Sequence, residues 1–263
     1  MHHGEHNRSP GAPQAPELVN FVEGVAVVMR WLGRESCGTS HRVNDIETSL
    51  DALFTAERES RRLHDELTDE AVRNRASVLR ALVGVIADTK DGDDEAEGAI
   101  RLVSVARLLG ELEGDDVVDA LIDVLDSEIP EARSEAGEQL QGLAYDRFKE
   151  VALGVERALK RLGEGSAALV ELPYLLVDIP EGGVVKLLGM FLKHADADAV
   201  AAAIETLVIL GDASVVKLLL PLQGDKRVSV IGEDEEQNEV TVGELAIEAI
   251  ELLRQAESSS NEG

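Results

Sequence analysis

The sequence predicts an all-α chain, an α-solenoid of antiparallel helix pairs with one small β-hairpin inserted near the C-terminus. Three observations predict it. First, an eleven-residue helical segment recurs at 117–127 (VVDALIDVLDS), 151–161 (VALGVERALKR), 184–194 (VVKLLGMFLKH) and 215–225 (VVKLLLPLQGD), starting 34, 33 and 31 residues apart, and a looser copy at 78–88 lies 39 residues upstream. Periods of this size filled with helix-patterned sequence mark stacked helix pairs, in which each unit packs on its neighbours and the core lengthens with the chain. Second, the connections are short, as antiparallel helical neighbours require, and they carry Gly110, Gly114, Pro130, Gly163, Gly165, Pro180, Gly182, Gly183, Gly211 and Gly224. Third, residues 227–243 (RVSVIGEDEEQNEVTVG) break the helical rhythm with two β-branched runs around a very acidic centre, the pattern of a hairpin.

The elements follow in order. Residues 1–16 hold His2, His3, His6 and three prolines with no apolar run, so they are expected to be a disordered leader and not a signal peptide. Residues 16–32 place Leu18, Phe21, Val22, Val25, Val28, Met29 and Leu32 at helical spacing. A polar loop is expected at 33–42. A long helix then follows at 44–67, capped by Asn44 and carrying Ile46, Leu50, Leu53, Phe54 and Leu63 on one face. Thr68 is expected to cap the next helix, running to about Ala87. Residues 17–67 together form a divergent or capping N-terminal part, and residues 68–256 the repeat array.

The acidic connector 88–98 (DTKDGDDEAEG) fails as a calcium loop, because Lys90 and Gly92 stand where oxygen ligands are needed. Within the array, helix 95–113 pairs with 116–126, 132–145 with 147–162, 167–177 with 183–194, and 198–210 with 214–223. Thr241 and Glu244 form a capping box that launches the last helix through Arg254. Residues 257–263 are expected to be a disordered tail.

Composition narrows the function. The 263 residues carry 25 basic and 52 acidic side chains, a formal net charge of −27. Such a surface repels phosphate backbones and anionic membranes, so neither nucleic acid nor membrane is an expected partner. Aromatics are only 3%, which leaves Ala, Leu, Val and Ile to do the packing. Cys37 is the sole cysteine, so no internal disulfide forms, and a cytoplasmic location is expected. No histidine pair has a metalloprotease arrangement and no glycine run forms a phosphate loop. Cys37 beside His41 lacks an orienting third group. No catalytic residue, cofactor or metal site is expected, and the chain reads as a non-enzyme.

Aligning the recurring segments exposes columns. Val118, Ala152, Val185 and Val216 form one apolar column, and Leu121, Val155, Leu188 and Leu219 another; both are expected to be core. One place after the first column stand Asp119, Leu153, Lys186 and Lys217. Asp123 shares a column with Arg157, and Asp126, Lys160 and Lys193 share another. The expected partner-binding groove therefore comprises Asp119, Asp123, Arg157, Lys160, Lys186, Lys193 and Lys217, acidic toward its N-terminal end and basic toward its C-terminal end.

The turn chemistry adds a resemblance. The loop 126–136 (DSEIPEARSEA), with Asp126, Pro130, Arg133 and Ala136, resembles the inter-repeat turn of short bacterial HEAT repeats. Ile209-Leu210-Gly211-Asp212 before Val215-Val216 is similar to that family's intra-repeat turn, as is Leu109-Gly110 before Val117-Val118. The resemblance covers roughly residues 71–256. It implies a right-handed superhelix whose second helices line the concave side, and a protein-interaction scaffold as function. The family also includes phycobilin-lyase-like members, which makes a small-molecule chaperone or ligase the alternative. A HEAT-like DNA glycosylase is less well supported, since it needs a basic, aromatic concave face.

Overall fold

The computed structural model describes residues 21–90, 92, 94–231 and 238–261. The expected leader and the acidic hairpin tip lie outside the described residues. The chain divides into two units, Met1–Arg62 and Leu63–Gly263. Described residues are mostly helical, with one two-stranded antiparallel sheet.

Helix α1 spans Phe21–Lys90 with non-helical backbone at Asn74 (φ −147°, ψ 57°). The loop expected at 33–42 is helical instead, and Asn44 and Thr68 start no helix. No proline stands between Pro16 and Pro130. The Gly and Ser residues that suggested a loop each cost a helix only about 1 kcal/mol or less, and no steric block interrupts it. The Thr68 hydroxyl donates to Glu111 (2.6 Å) rather than capping a helix.

In the second unit the caps follow from the chemistry of each N-terminus. Helix α2 (Glu95–Gly110) is capped by Asp94, whose carboxylate accepts from the Glu97 amide. Helix α3 is Asp115–Leu125. Helix α4 (Pro130–Arg161) starts with Pro130 in its first turn, where a missing amide costs nothing. Its backbone breaks at Arg147 (φ −137°, ψ 49°), so it holds both helices of the expected pair, divided where the sequence divides them. Helix α5 (Ala167–Leu175) is capped by Ser166, and α6 is Val184–Phe191.

Helix α7 (Ala197–Leu210) is capped by Asp196 and closed by Gly211 in the left-handed region (φ 69°). The helix expected at 214–223 is only a short α8 (Val216–Leu219) between two 3-10 turns, because Pro221 withholds an amide. Strands β1 (Val228–Ile231) and β2 (Asn238–Thr241) form the expected hairpin. Helix α9 (Val242–Asn261) is launched by the expected capping box: the Glu244 amide donates to Thr241 Oγ1, and the Thr241 amide to Glu244 Oε2. It runs past Arg254 into residues expected to be tail.

One aliphatic core extends from Ala71 to Leu253, with Phe191 as its largest fully buried side chain. The column Leu121, Val155, Leu188 and Leu219 is wholly buried, as expected. In the other column only Val118 is buried; Ala152, Val185 and Val216 are half-buried. The partner column stands one residue earlier, at Val117, Val151, Val184 and Val215, each at most 3% exposed. Spacing of four along a helix aligns better with Leu121 and its equivalents than spacing of three, since 3.6 residues make a turn.

The packed helix pairs are near neighbours in the chain: α3 with α4, α2 with α4, α5 with α7, α7 with α9, α2 with α3, α4 with α5, α6 with α7 and, less extensively, α4 with α6. Cross-links between elements repeat the sequence period. Asp126 accepts from Ser166 Oγ, 40 residues on. The Gly165 amide donates to Asp196, 31 residues on, and Ser229 Oγ donates to Asp198, also 31 residues away.

Alternation along the hairpin flanks sets Val228, Val230, Val240 and Val242 as the expected packed set; Val242 is buried and Val240 half-buried, but the β1 valines are not. Val228 and Val230 are 49% exposed, while Ser229 is buried against α7. The Asp198 carboxylate at the start of α7 takes both the Ser229 hydroxyl (2.7 Å) and the Val230 amide (3.2 Å). Strand alternation then turns the two valines outward.

Two carboxylates in this unit are held below their usual range by arginine. Asp116 is lowered chiefly by the hydrogen bond from Arg75, and Asp225 by that from Arg227. A folded-state pKa below the unfolded value gives stability that is complete above the ordinary carboxylate range and is lost as pH falls through the lowered values. The urea midpoint is therefore expected to fall on acidification below about pH 4. Asp225→Asn should be less stable at neutral pH and show a shallower acid loss, and an unchanged slope would contradict this.

Candidate partner-binding surface

The second helices of the expected pairs are α3, the half of α4 after Arg147, α6 and α8. Close approaches show them side by side. A methyl group added at Gly154 would run into Val118 Cγ1, one at Gly183 would meet Phe148 Cε1 at 2.6 Å, and one at Gly189 would meet Leu218 Cδ1 at 3.5 Å. Each pair joins one second helix to the next.

The seven expected groove residues fall on this row but do not act alike. Asp119 and Asp123 are engaged within the chain. Arg157 Nε donates to both Asp119 oxygens (3.0 and 2.9 Å), and its Nη2 donates to the Asp115 carbonyl (2.8 Å). Arg161 pairs with Asp123. Both pairs span 38 residues, one helical turn beyond the 34-residue repeat. Side chains on a helix lean toward its N-terminus, so an arginine reaches back one turn to its partner on the preceding helix. Column alignment sets Asp123 beside Arg157 and gives Arg161 no partner. The two acids and Arg157 are thus half-buried cross-links between α3 and α4, and the acidic N-terminal end expected of the groove is compensated at these positions.

Lys160, Lys186, Lys193 and Lys217 are exposed, and no ion pair engages them among the described residues. Lys186 is the third residue of α6 and Lys217 the second of α8, and each stands between buried residues of the core columns. The surrounding sequence holds no acid: residues 182–195 and 213–224 contain no Asp or Glu, within a chain of net charge −27. Asp212, just before α8, is held low chiefly by hydrogen bonds from Ser214, with a smaller contribution from Lys217.

Sequence reasoning also missed a shallow cavity of about 530 Å³ on this row, where Asp115, Arg147, Phe148, Lys149, Leu153 and Glu181 meet. The signal available was Leu153, an aliphatic in the column otherwise filled by charges and 40% exposed. Among the described residues no group of three or more His, Cys, Asp or Glu side chains is placed to hold a metal ion. No helix there is long and apolar enough to cross a membrane.

No family model matches the chain. No curated protein matches it either. A crystal structure described as that of an engineered protein is similar over 73% of this chain and 97% of its own length, at 19% identity and a TM-score of 0.30. A likeness that low carries neither fold nor function.

Proposed function

We propose that the chain is a non-enzymatic scaffold, a HEAT-like solenoid of stacked helix pairs that docks an acidic segment of a protein partner on α6 and α8. The observation that carries this reading is the pair of acid-free second helices with exposed, unpaired lysines on a strongly acidic chain. Cations retained where acids dominate give an anionic segment one place to land and repel it elsewhere, which is specificity by complementary potential. The solenoid reading is supported by packing in chain order and by cross-links that repeat at 31–42 residues. Adjacent second helices would present Lys186 and Lys217 about one interhelical spacing apart, ~8–10 Å.

Exposed ion pairs contribute only ~0.2–1 kcal/mol each, so binding should be modest and salt-sensitive. A fluorescein-labelled oligoglutamate peptide is the probe. Its anisotropy is expected to rise on titration with the protein at low salt, to rise less at high salt, and to stay flat with the Lys186→Glu, Lys217→Glu variant. A chain of this net charge offers no reason to bind polyglutamate elsewhere. Equal binding by the wild type and the variant, or none by either, would overturn the proposal.

A further inference from the structure

A separate observation concerns the first helices of the pairs, α2, the half of α4 before Arg147, α5, α7 and α9, each packed on the next. A side-chain bridge crosses each of the first three junctions. Arg107 Nε donates to Glu135 (2.8 Å) between α2 and α4, Arg133 Nε to Glu171 (2.7 Å) between α4 and α5, and the Tyr174 hydroxyl to Glu205 (2.6 Å) between α5 and α7. At the junction of α7 with α9 the series stops. Glu248 is exposed, and among the described residues no hydrogen bond or ion pair engages it.

An apolar groove of about 440 Å³ opens there instead, with Glu205 on its α7 wall and Glu248 on its α9 wall. Leu245, Ala249 and Leu252 line it at i, i+4 and i+7, the seam by which one helix receives another, and Val208 and Ile209 line it from α7. Ile209 is 59% and Leu252 46% exposed. We propose that this groove docks an amphipathic helix of a protein partner, its apolar face flanked by lysine or arginine.

Charge decides the occupant. Helix α7 carries Asp198 and Glu205 and no base, and α9 carries Glu244, Glu248 and Glu251 before its first base, Arg254. An acidic helix would meet like charge on both walls, and a wholly apolar one would desolvate Glu248 without giving it a partner. A cation beside the apolar face gives Glu248 the partner that arginine gives Glu135 and Glu171. The acidic segment proposed for α6 and α8 is repelled here, so the two sites take segments of opposite charge.

The probe is a fluorescein-labelled peptide of leucine and lysine with leucines at i, i+3, i+4 and i+7, titrated with the full chain at physiological ionic strength and followed by anisotropy. A scrambled peptide of the same composition has no apolar face. It is expected to bind more weakly, which separates the groove from general attraction to an acidic surface. Ile209→Ser, Leu252→Ser should weaken binding of the amphipathic peptide about tenfold or more, because two exposed aliphatics no longer lose water on docking. Glu205→Gln, Glu248→Gln keeps side-chain shape and so spares the fold; it should weaken binding a few-fold. Glu131→Gln, Glu138→Gln makes the same charge change at exposed positions of α4 and should leave binding unaltered. No binding by the wild type, equal binding of the two peptides, or groove variants that bind like wild type would each overturn the proposal. Self-association of the wild type that Ile209→Ser, Leu252→Ser abolishes would give the groove to a second copy and overturn the basic partner.

Discussion

Leu188→Ala is expected to destabilise the protein by ~2–5 kcal/mol, the range for a large-to-small change at a fully packed site. Leu188 is 0% exposed and belongs to the column Leu121, Val155, Leu188 and Leu219, which is buried throughout. The loss has two parts, the transfer free energy of the removed methyls and the void left where α6 packs on α4 and α7. Collapse of that void is resisted because side chains already press on the backbone there, Phe148 against Gly183 and Leu218 against Gly189. Urea unfolding followed by circular dichroism measures the effect. A midpoint within error of wild type would show that this face of α6 is not core.

Gly243→Ala is expected to cost about 1–3 kcal/mol by overpacking. A methyl group at Gly243 would stand 2.8 Å from the Asp225 carbonyl oxygen and 2.9 Å from that of Gln223. Both are backbone atoms, so no side-chain rotation relieves the clash. The same contact holds a hydrogen bond, since the Gly243 amide donates to the Asp225 carbonyl (3.0 Å). Forcing these segments apart parts the entry of α9 from the turn before β1. It also disturbs the Arg227 network, in which the guanidinium binds Asp225 and the carbonyls of His194 and Ala195. The change should therefore loosen α9 and the hairpin more than α2 and α3. A Gly243→Ala protein as stable as wild type would mean that the contact relaxes without cost.

Much of the fold was legible in the sequence wherever one physical signal acted alone. The repeated segment located α3, the second half of α4, and α6, and Pro130, the Gly163 and Gly165 connection and the Thr241–Glu244 box marked the starts of α4, α5 and α9. Legibility failed where a local cue competed with a tertiary one. Val228 and Val230 suggested an inward face, but the Asp198 carboxylate captured Ser229 and the Val230 amide and turned the valines out. Ser and Gly at 33–42 suggested a loop, yet propensity alone does not end a helix. At the candidate surface, Lys186 and Lys217 could be read from column alignment because they point away from the core. The engagement of Asp119 and Asp123 could not, because it depends on arginines reaching back one turn across the helix interface.

In the proposed stack of helix pairs, stability is close to a sum of nearest-neighbour terms, so damage should spread outward from the altered unit. Native-state hydrogen exchange on the Leu188→Ala protein tests this most directly. Protection is predicted to fall first in α6 and in its packing partners α4 and α7, and less in the helices one step further, α2, α3, α5 and α9. A uniform loss of protection from α2 to α9 would contradict the repeat account and mark a single cooperative core.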